Sequence, residues 1–142
     1  MIIRVILFII LSFGFLGSKG QVKSKSIKLE YFDTNPTNGD GCEGNFTYDT
    51  ISVEKGKFIF FTDLRKLAYI KVGGKNISLK NMGYVQLSKK KSKSTFKGGG
   101  YTIILTTTTV KEYDEGGLEA GTLEISNGVD KEIIKVHGES GC

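Results

Sequence analysis

The stretch that decides the fold runs YTIILTTTTVKEY (residues 101–113), DEGG (114–117), LEAGTLEIS (118–126). Its first part is rich in Thr, Ile and Val, whose branched Cβ suits a pleated strand better than a helix. Gly116 and Gly117 follow Asp114 and Glu115 as a turn signal, and a second apolar segment returns from it. The unit therefore predicts an antiparallel hairpin. In the returning arm the apolar positions switch phase, from Leu118 and Ala120 to Leu123 and Ile125. Such a slip predicts a β-bulge at Gly121, because one extra residue exchanges the two faces of a strand.

Both flanks continue the pattern. Downstream, Asn127-Gly128 is a strong two-residue hairpin signal. KEIIKVH (131–137) predicts a last strand, with Ile134 and Val136 inward and the single histidine, His137, facing solvent. Upstream, LAYIKVGGKNISLKN (67–81) predicts a hairpin turning at Gly73-Gly74, and GYVQLS (83–88) a further short strand. KKKSKSTFKGGG (89–100) is the most polar stretch and predicts a mobile loop. SIKLEYF (26–32) alternates, with Ile27, Leu29 and Tyr31 on one face and Lys28 and Glu30 on the other, as a half-buried strand does. NFTYD (45–49) alternates through Phe46 and Tyr48, and ISVEKGKFIFF (51–61) predicts a hairpin turning at Lys55-Gly56. TDLRK (62–66) predicts one helical turn, with Asp63 near its start.

With 19 glycines, one proline and no sustained 3.6-residue apolar period, the chain predicts an all-β protein. The short links favour antiparallel neighbours. A single-domain antiparallel up-and-down barrel of about eight strands fits best, because no segment offers a long Greek-key return. A two-sheet β-sandwich is the alternative.

The N-terminus predicts export. Arg4 is followed by an apolar run from Val5 to Leu16, then Ser18, Gly20 and Gln21. That is the pattern of a signal peptide over residues 1–20, with residues 21–142 as the mature β domain. The run is shorter than a spanning helix requires, so no membrane span is expected in the mature chain. Ser18 stands where a lipid-anchored protein needs cysteine, so the expected location is secreted or periplasmic. The net charge is +5, and cleavage removes Arg4 and Lys19 but no acid, which leaves a mildly positive domain. That is far from a nucleic-acid footprint. Asn45-Phe46-Thr47 and Asn76-Ile77-Ser78 fit glycosylation acceptors, relevant only in a eukaryotic secretory pathway. In an oxidising compartment the two cysteines, Cys42 and Cys142, predict a disulfide.

Chemistry is sparse. DTNPTNGDGCEG (33–44) approaches a calcium loop through Asp33, Asn35 and Asp40, but the sixth position holds Asn38 and Gly39 comes one residue late. An ordinary turn-rich loop with no metal is expected. A Cys–His nucleophile needs a free thiolate, which the disulfide removes. Asp40, Glu43, Glu54, Asp114, Glu115 and Glu119 lie beside turns, where acids are normally solvated. No zinc-type grouping occurs. The chain is thus expected to be no enzyme and to use no cofactor. Two features could bind a partner. Lys89, Lys90, Lys91, Lys93 and Lys97 cluster in the polar stretch and could hold an anion. Phe58, Phe60 and Phe61 lie on an arm that is apolar on both faces, so it is either covered on both sides or a sticky surface.

GCEGNFTYD, FTDLRKLAYIKVGGKNISL, GGGYTIIL, AGTLEIS and KVHGESGC resemble a group of small exported bacterial proteins of unknown function. The resemblance covers about half of the mature chain and implies a shared fold and bridge. AYIKVGGKNISL followed by GGGYTIIL is similar, more weakly, to the bacterial inhibitors of C-type lysozyme, which are exported β-barrels with a disulfide. Their Ser-Gly-x-x-Tyr motif is missing: Tyr84 follows Asn81-Met82-Gly83. No inhibitory residue carries over. The leading expectation is an exported non-catalytic binding or structural module, with a protein or an anionic surface polymer as partner. The alternatives are an inhibitor of a cell-wall hydrolase such as lysozyme and a binder of anionic polymer through the lysine cluster.

Overall fold

The computed structural model describes residues 25–39 and 41–142. The expected leader, residues 1–20, lies outside the described residues, as does Asp40. Eight strands occur in chain order: β1 (Glu43–Thr47), β2 (Phe60–Thr62), β3 (Leu67–Val72), β4 (Lys75–Gln86), β5 (Lys91–Gly98), β6 (Tyr101–Tyr113), β7 (Gly116–Ser126) and β8 (Lys131–Gly141). One short helix, α1 (Thr50–Glu54), sits between β1 and β2. Each strand pairs antiparallel with the next, and β8 returns to β1, from Glu43↔Gly141 to Thr47↔His137. The chain is a closed up-and-down barrel; the sandwich alternative is excluded.

The turns follow the glycine signals. The β3–β4 turn uses Gly73 and Gly74, both with positive φ. The β7–β8 turn contains Gly128, with Asn127 Oδ1 accepting from the Asp130 N–H at 2.7 Å. The disulfide joins Cys42 to Cys142, one residue beyond the terminal Glu43↔Gly141 pair of the closing seam.

The apolar core fills one half of the barrel. Phe46, Phe60, Ile70, Leu79, Phe96, Ile103, Leu123, Ile125 and Val136 are all buried there. The Phe60 ring lies 5.4 Å from Phe96 and 6.2 Å from Phe46, centroid to centroid. Burying each such side chain contributes roughly 1.5–3 kcal/mol.

Several local expectations fail for identifiable reasons. No hairpin turns at Lys55-Gly56. Asp49 caps a helical turn instead, its carboxylate accepting from the Ser52 N–H at 2.7 Å. Nor is TDLRK a helical turn. Asp63 Oδ1 accepts from the backbone N–H groups of Arg65, Lys66 and Leu67 at 2.8–2.9 Å, which folds the β2–β3 connection around one carboxylate. The alternating segment 26–32 joins no ladder. It runs extended, and Ile27 and Leu29 enter the core. The Glu30 N–H donates to the Lys71 carbonyl at 2.9 Å, and the Phe32 N–H to the Phe58 carbonyl at 3.0 Å. That course covers the aromatic arm, so the arm offers no exposed docking surface. Phe60 faces the barrel interior, while the outward Phe61 ring lies edge-on beneath Phe32 and Phe58, at 5.2 and 5.5 Å. Phe58, Phe60 and Phe61 are all buried.

Candidate functional site

The two halves of the barrel interior differ. At the end away from the disulfide the inward positions are aromatic or aliphatic. Toward the disulfide they become small or polar on almost every strand. β1 contributes Gly44 and β2 Thr62, while β5 contributes Ser92 and Ser94. β6 contributes Thr107, β7 Glu119 and β8 Ser140. An eight-stranded barrel is just wide enough for large side chains to fill it. Small side chains therefore leave space, and a cavity of about 310 Å³ occupies this mouth. Phe46, Phe96 and Leu105 form its apolar floor, and the hydroxyls and Glu119 its wall.

Close backbone approach shapes the floor. A Cβ at Gly138 would sit 2.2 Å from the Asn45 carbonyl oxygen and 2.6 Å from Phe46 Cδ1. Glycine there leaves room for the Phe46 ring beside β8. The rim carries Tyr84 and Leu64, 59% and 41% exposed. Leu64 has φ = 55°, the left-handed region that costs a Cβ-bearing residue about 1–2 kcal/mol. Its N–H donates to Thr62 Oγ1 at 3.1 Å. Asn81 ties this rim loop to β4, its Nδ2 donating to the Arg65 carbonyl at 3.1 Å.

Glu119 is the chemical centre of the mouth. Burial pushes its carboxyl above the usual carboxylate range, and hydrogen bonds from the Ser140 and Thr107 side chains pull it partway back. Ser92 Oγ lies 3.5 Å from Thr107 Oγ1, which extends the hydroxyl chain along the wall. Sequence pattern places Glu119 among the solvated turn acids; it turns inward instead. The phase slip in LEAGTLEIS has the same cause. β7 pairs without interruption at Gly121, opposite Thr107 on one side and Val136 on the other. No bulge occurs there. Leu118 and Ala120 point outward, and the interior itself changes from apolar to polar. The irregularities fall elsewhere, between Thr109 and Lys111 on β6 and between Asn81 and Gly83 on β4.

The lysine cluster is not a mobile loop. Lys91, Lys93 and Lys97 stand on β5, and only Lys89 and Lys90 belong to the turn before it. Alternation sends Ser92, Ser94 and Phe96 inward and all three strand lysines outward. Lys97 lies directly opposite Lys80 on β4. All six lysines are exposed.

The remaining candidates separate. Asp33 pairs with Lys71 at 2.8 Å, which holds its carboxyl below the usual range through that hydrogen bond. Asn35 instead bonds Glu43, at 3.2 Å. Among the described residues no three Asp, Glu, His or Cys side chains converge as metal ligands. Asn45 and Asn76 lie on β1 and β4, with Asn45 opposite Phe61. His137, outward on β8, lies opposite Thr47 and Ala120, away from the mouth. Compared with protein-family models, with curated proteins and with solved structures, the chain matches none.

Proposed function

We propose that this chain is an exported, non-catalytic binding module whose ligand enters the open mouth of the barrel beside the disulfide. One observation carries the proposal: a mouth cavity of about 310 Å³ that combines an apolar floor with a polar wall. Ordinary ligand pockets share that mixture, with apolar surface for affinity and a few placed polar groups for orientation. Glycosidic hydrolysis by paired carboxylates needs two acids at fixed separation. Glu119 is the single acid among the residues lining this mouth. The proposal is tested by titrating ¹⁵N-labelled oxidised protein with 2-phenylethanol, a small amphiphile that suits the floor. Saturable amide shifts confined to Ser94, Glu119, Ser140 and their neighbours are expected. Shifts scattered over the barrel exterior would refute the mouth as the site.

A second reading has its own observation. The outer face of β4 and β5 carries Lys80, Lys91, Lys93 and Lys97 with no acid among their facing partners. Like charges placed directly opposite are destabilising. A face that keeps Lys80 opposite Lys97 suits an anionic surface polymer. Retention on immobilised polyphosphate should weaken steeply between low and moderate salt. Salt-independent retention would remove this reading.

A further inference from the structure

Glu119 has no cationic partner among the described residues, and no basic side chain lines its cavity. Its carboxyl is hydrogen-bonded by the Ser140 and Thr107 hydroxyls. The same small space is lined by two aromatic rings, Phe46 and Phe96, and by the Leu105 side chain. We propose that the mouth cavity takes a small organic amine, with its ammonium group on Glu119 and its apolar body against Phe46 and Phe96. The proposal rests on the mouth being the binding site and specifies the chemistry of the occupant.

Three ligand classes compete for such a site. An anion would bring like charge against a half-buried carboxylate, which is repulsive. A neutral hydroxyl compound could use Ser92, Ser94 and Thr107 but would leave the carboxylate's lost hydration unmatched. An ammonium group matches it. It carries three donors and no acceptor, which suits an acceptor-only carboxylate ringed by hydroxyls, and charge-assisted hydrogen bonds are about twice as strong as neutral ones. Aromatic faces nearby add to the preference for a cation. Size limits the body of the ligand. At about 310 Å³ the cavity lies at the low end of ordinary ligand pockets, so a single ring and a short chain fill it.

The test uses three probes of matched shape: phenethylamine, 2-phenylethanol and 3-phenylpropionate, titrated into the oxidised protein near neutral pH. Phenethylamine is expected to bind about tenfold more tightly than 2-phenylethanol, with 3-phenylpropionate weakest. In E119Q the amine should lose that tenfold advantage over 2-phenylethanol. Binding of 2-phenylethanol at the mouth with no preference for the amine would overturn the amine assignment and leave mouth binding standing. An amine preference that survives E119Q would overturn it equally. If no probe moves the mouth amides, both proposals fall. The probe comparison on the unsubstituted protein needs no variant to fold.

Discussion

A carboxylate turned into a barrel mouth loses part of its hydration, and Glu119 recovers only some of it from Ser140 and Thr107. Its folded pKa therefore lies above that of the unfolded chain, near 4.3. Between those two values the folded state binds more protons than the unfolded one, so stability falls as pH rises through that window. Above the folded-state value the full penalty is present. E119Q is expected to raise stability at pH 7, by at most about 1 kcal/mol because the open mouth admits screening water. The gain should disappear below about pH 4, where both states carry a protonated Glu119. Urea unfolding of both proteins at pH 7 and about pH 3 measures this; a gain that persists at the acid pH would remove the cause given. Leu64 makes a parallel case on the rim. Its left-handed backbone favours Asn or Gly, yet the position holds an exposed Leu that lines the cavity. L64N should raise stability by about 0.5–1 kcal/mol, because Asn tolerates that region far better. It should also weaken 2-phenylethanol binding, because the apolar rim is lost. Higher affinity in L64N would show that the side chain obstructs the mouth.

The strands that obey the simple rule of apolar inside and polar outside were legible in the sequence. The hairpin at Gly73-Gly74, the inward Ile134 and Val136, the antiparallel up-and-down barrel and the bridge all follow from alternation, turn residues and cysteine count. The strands that build the mouth were not. β5 reads K-S-K-S-T-F-K, and its inward serines carry no hydrophobic signal, so a regular strand resembles a loop. β7 reads as slipped because Glu119 occupies an inward place that pattern reading reserves for apolar residues. A strand whose apolar phase inverts without a pairing irregularity therefore marks the candidate site. The helix α1 was missed for a different reason: one Asp49 cap on a five-residue segment is too short a signal to outweigh the Lys55-Gly56 turn. The lysines of β5 carry a prediction of their own. Lys97 faces Lys80 across the ladder, both exposed, and like charges in that position destabilise by a few tenths of a kcal/mol to about 1 kcal/mol. K97E converts the pair to an attractive one. It should stabilise the barrel by about 0.5 kcal/mol and weaken retention on polyphosphate. Unchanged retention would separate this face from any anion-binding role.

Across the whole barrel the closing seam is the exposed weakness, since one of its two strands, β1, has five residues and its next neighbour β2 has three. By contrast β6 and β7 pair over ladders of ten or more residues, and β7 and β8 do the same. A barrel has no edge only while its seam holds, and here the seam continues one register further as the Cys42–Cys142 bridge. The bridge spans 100 residues. For a loop of that length the chain-entropy model gives about 4.7 kcal/mol, and a disulfide typically contributes about 2–4 kcal/mol. Reduction should therefore lower the urea midpoint strongly. It should also act locally first. Amides of Asn45 and Thr47 on β1 should lose hydrogen-exchange protection, while Ile103 on β6 and Leu123 on β7 keep theirs. Ser140, two residues before Cys142, lines the cavity, so the same opening loosens the mouth and should weaken 2-phenylethanol binding. A C42S/C142S double variant checks both effects without a reductant present. Uniform loss of protection over all eight strands would mean that the bridge stabilises the barrel as one unit. Unchanged ligand affinity in that variant would detach the mouth from the seam.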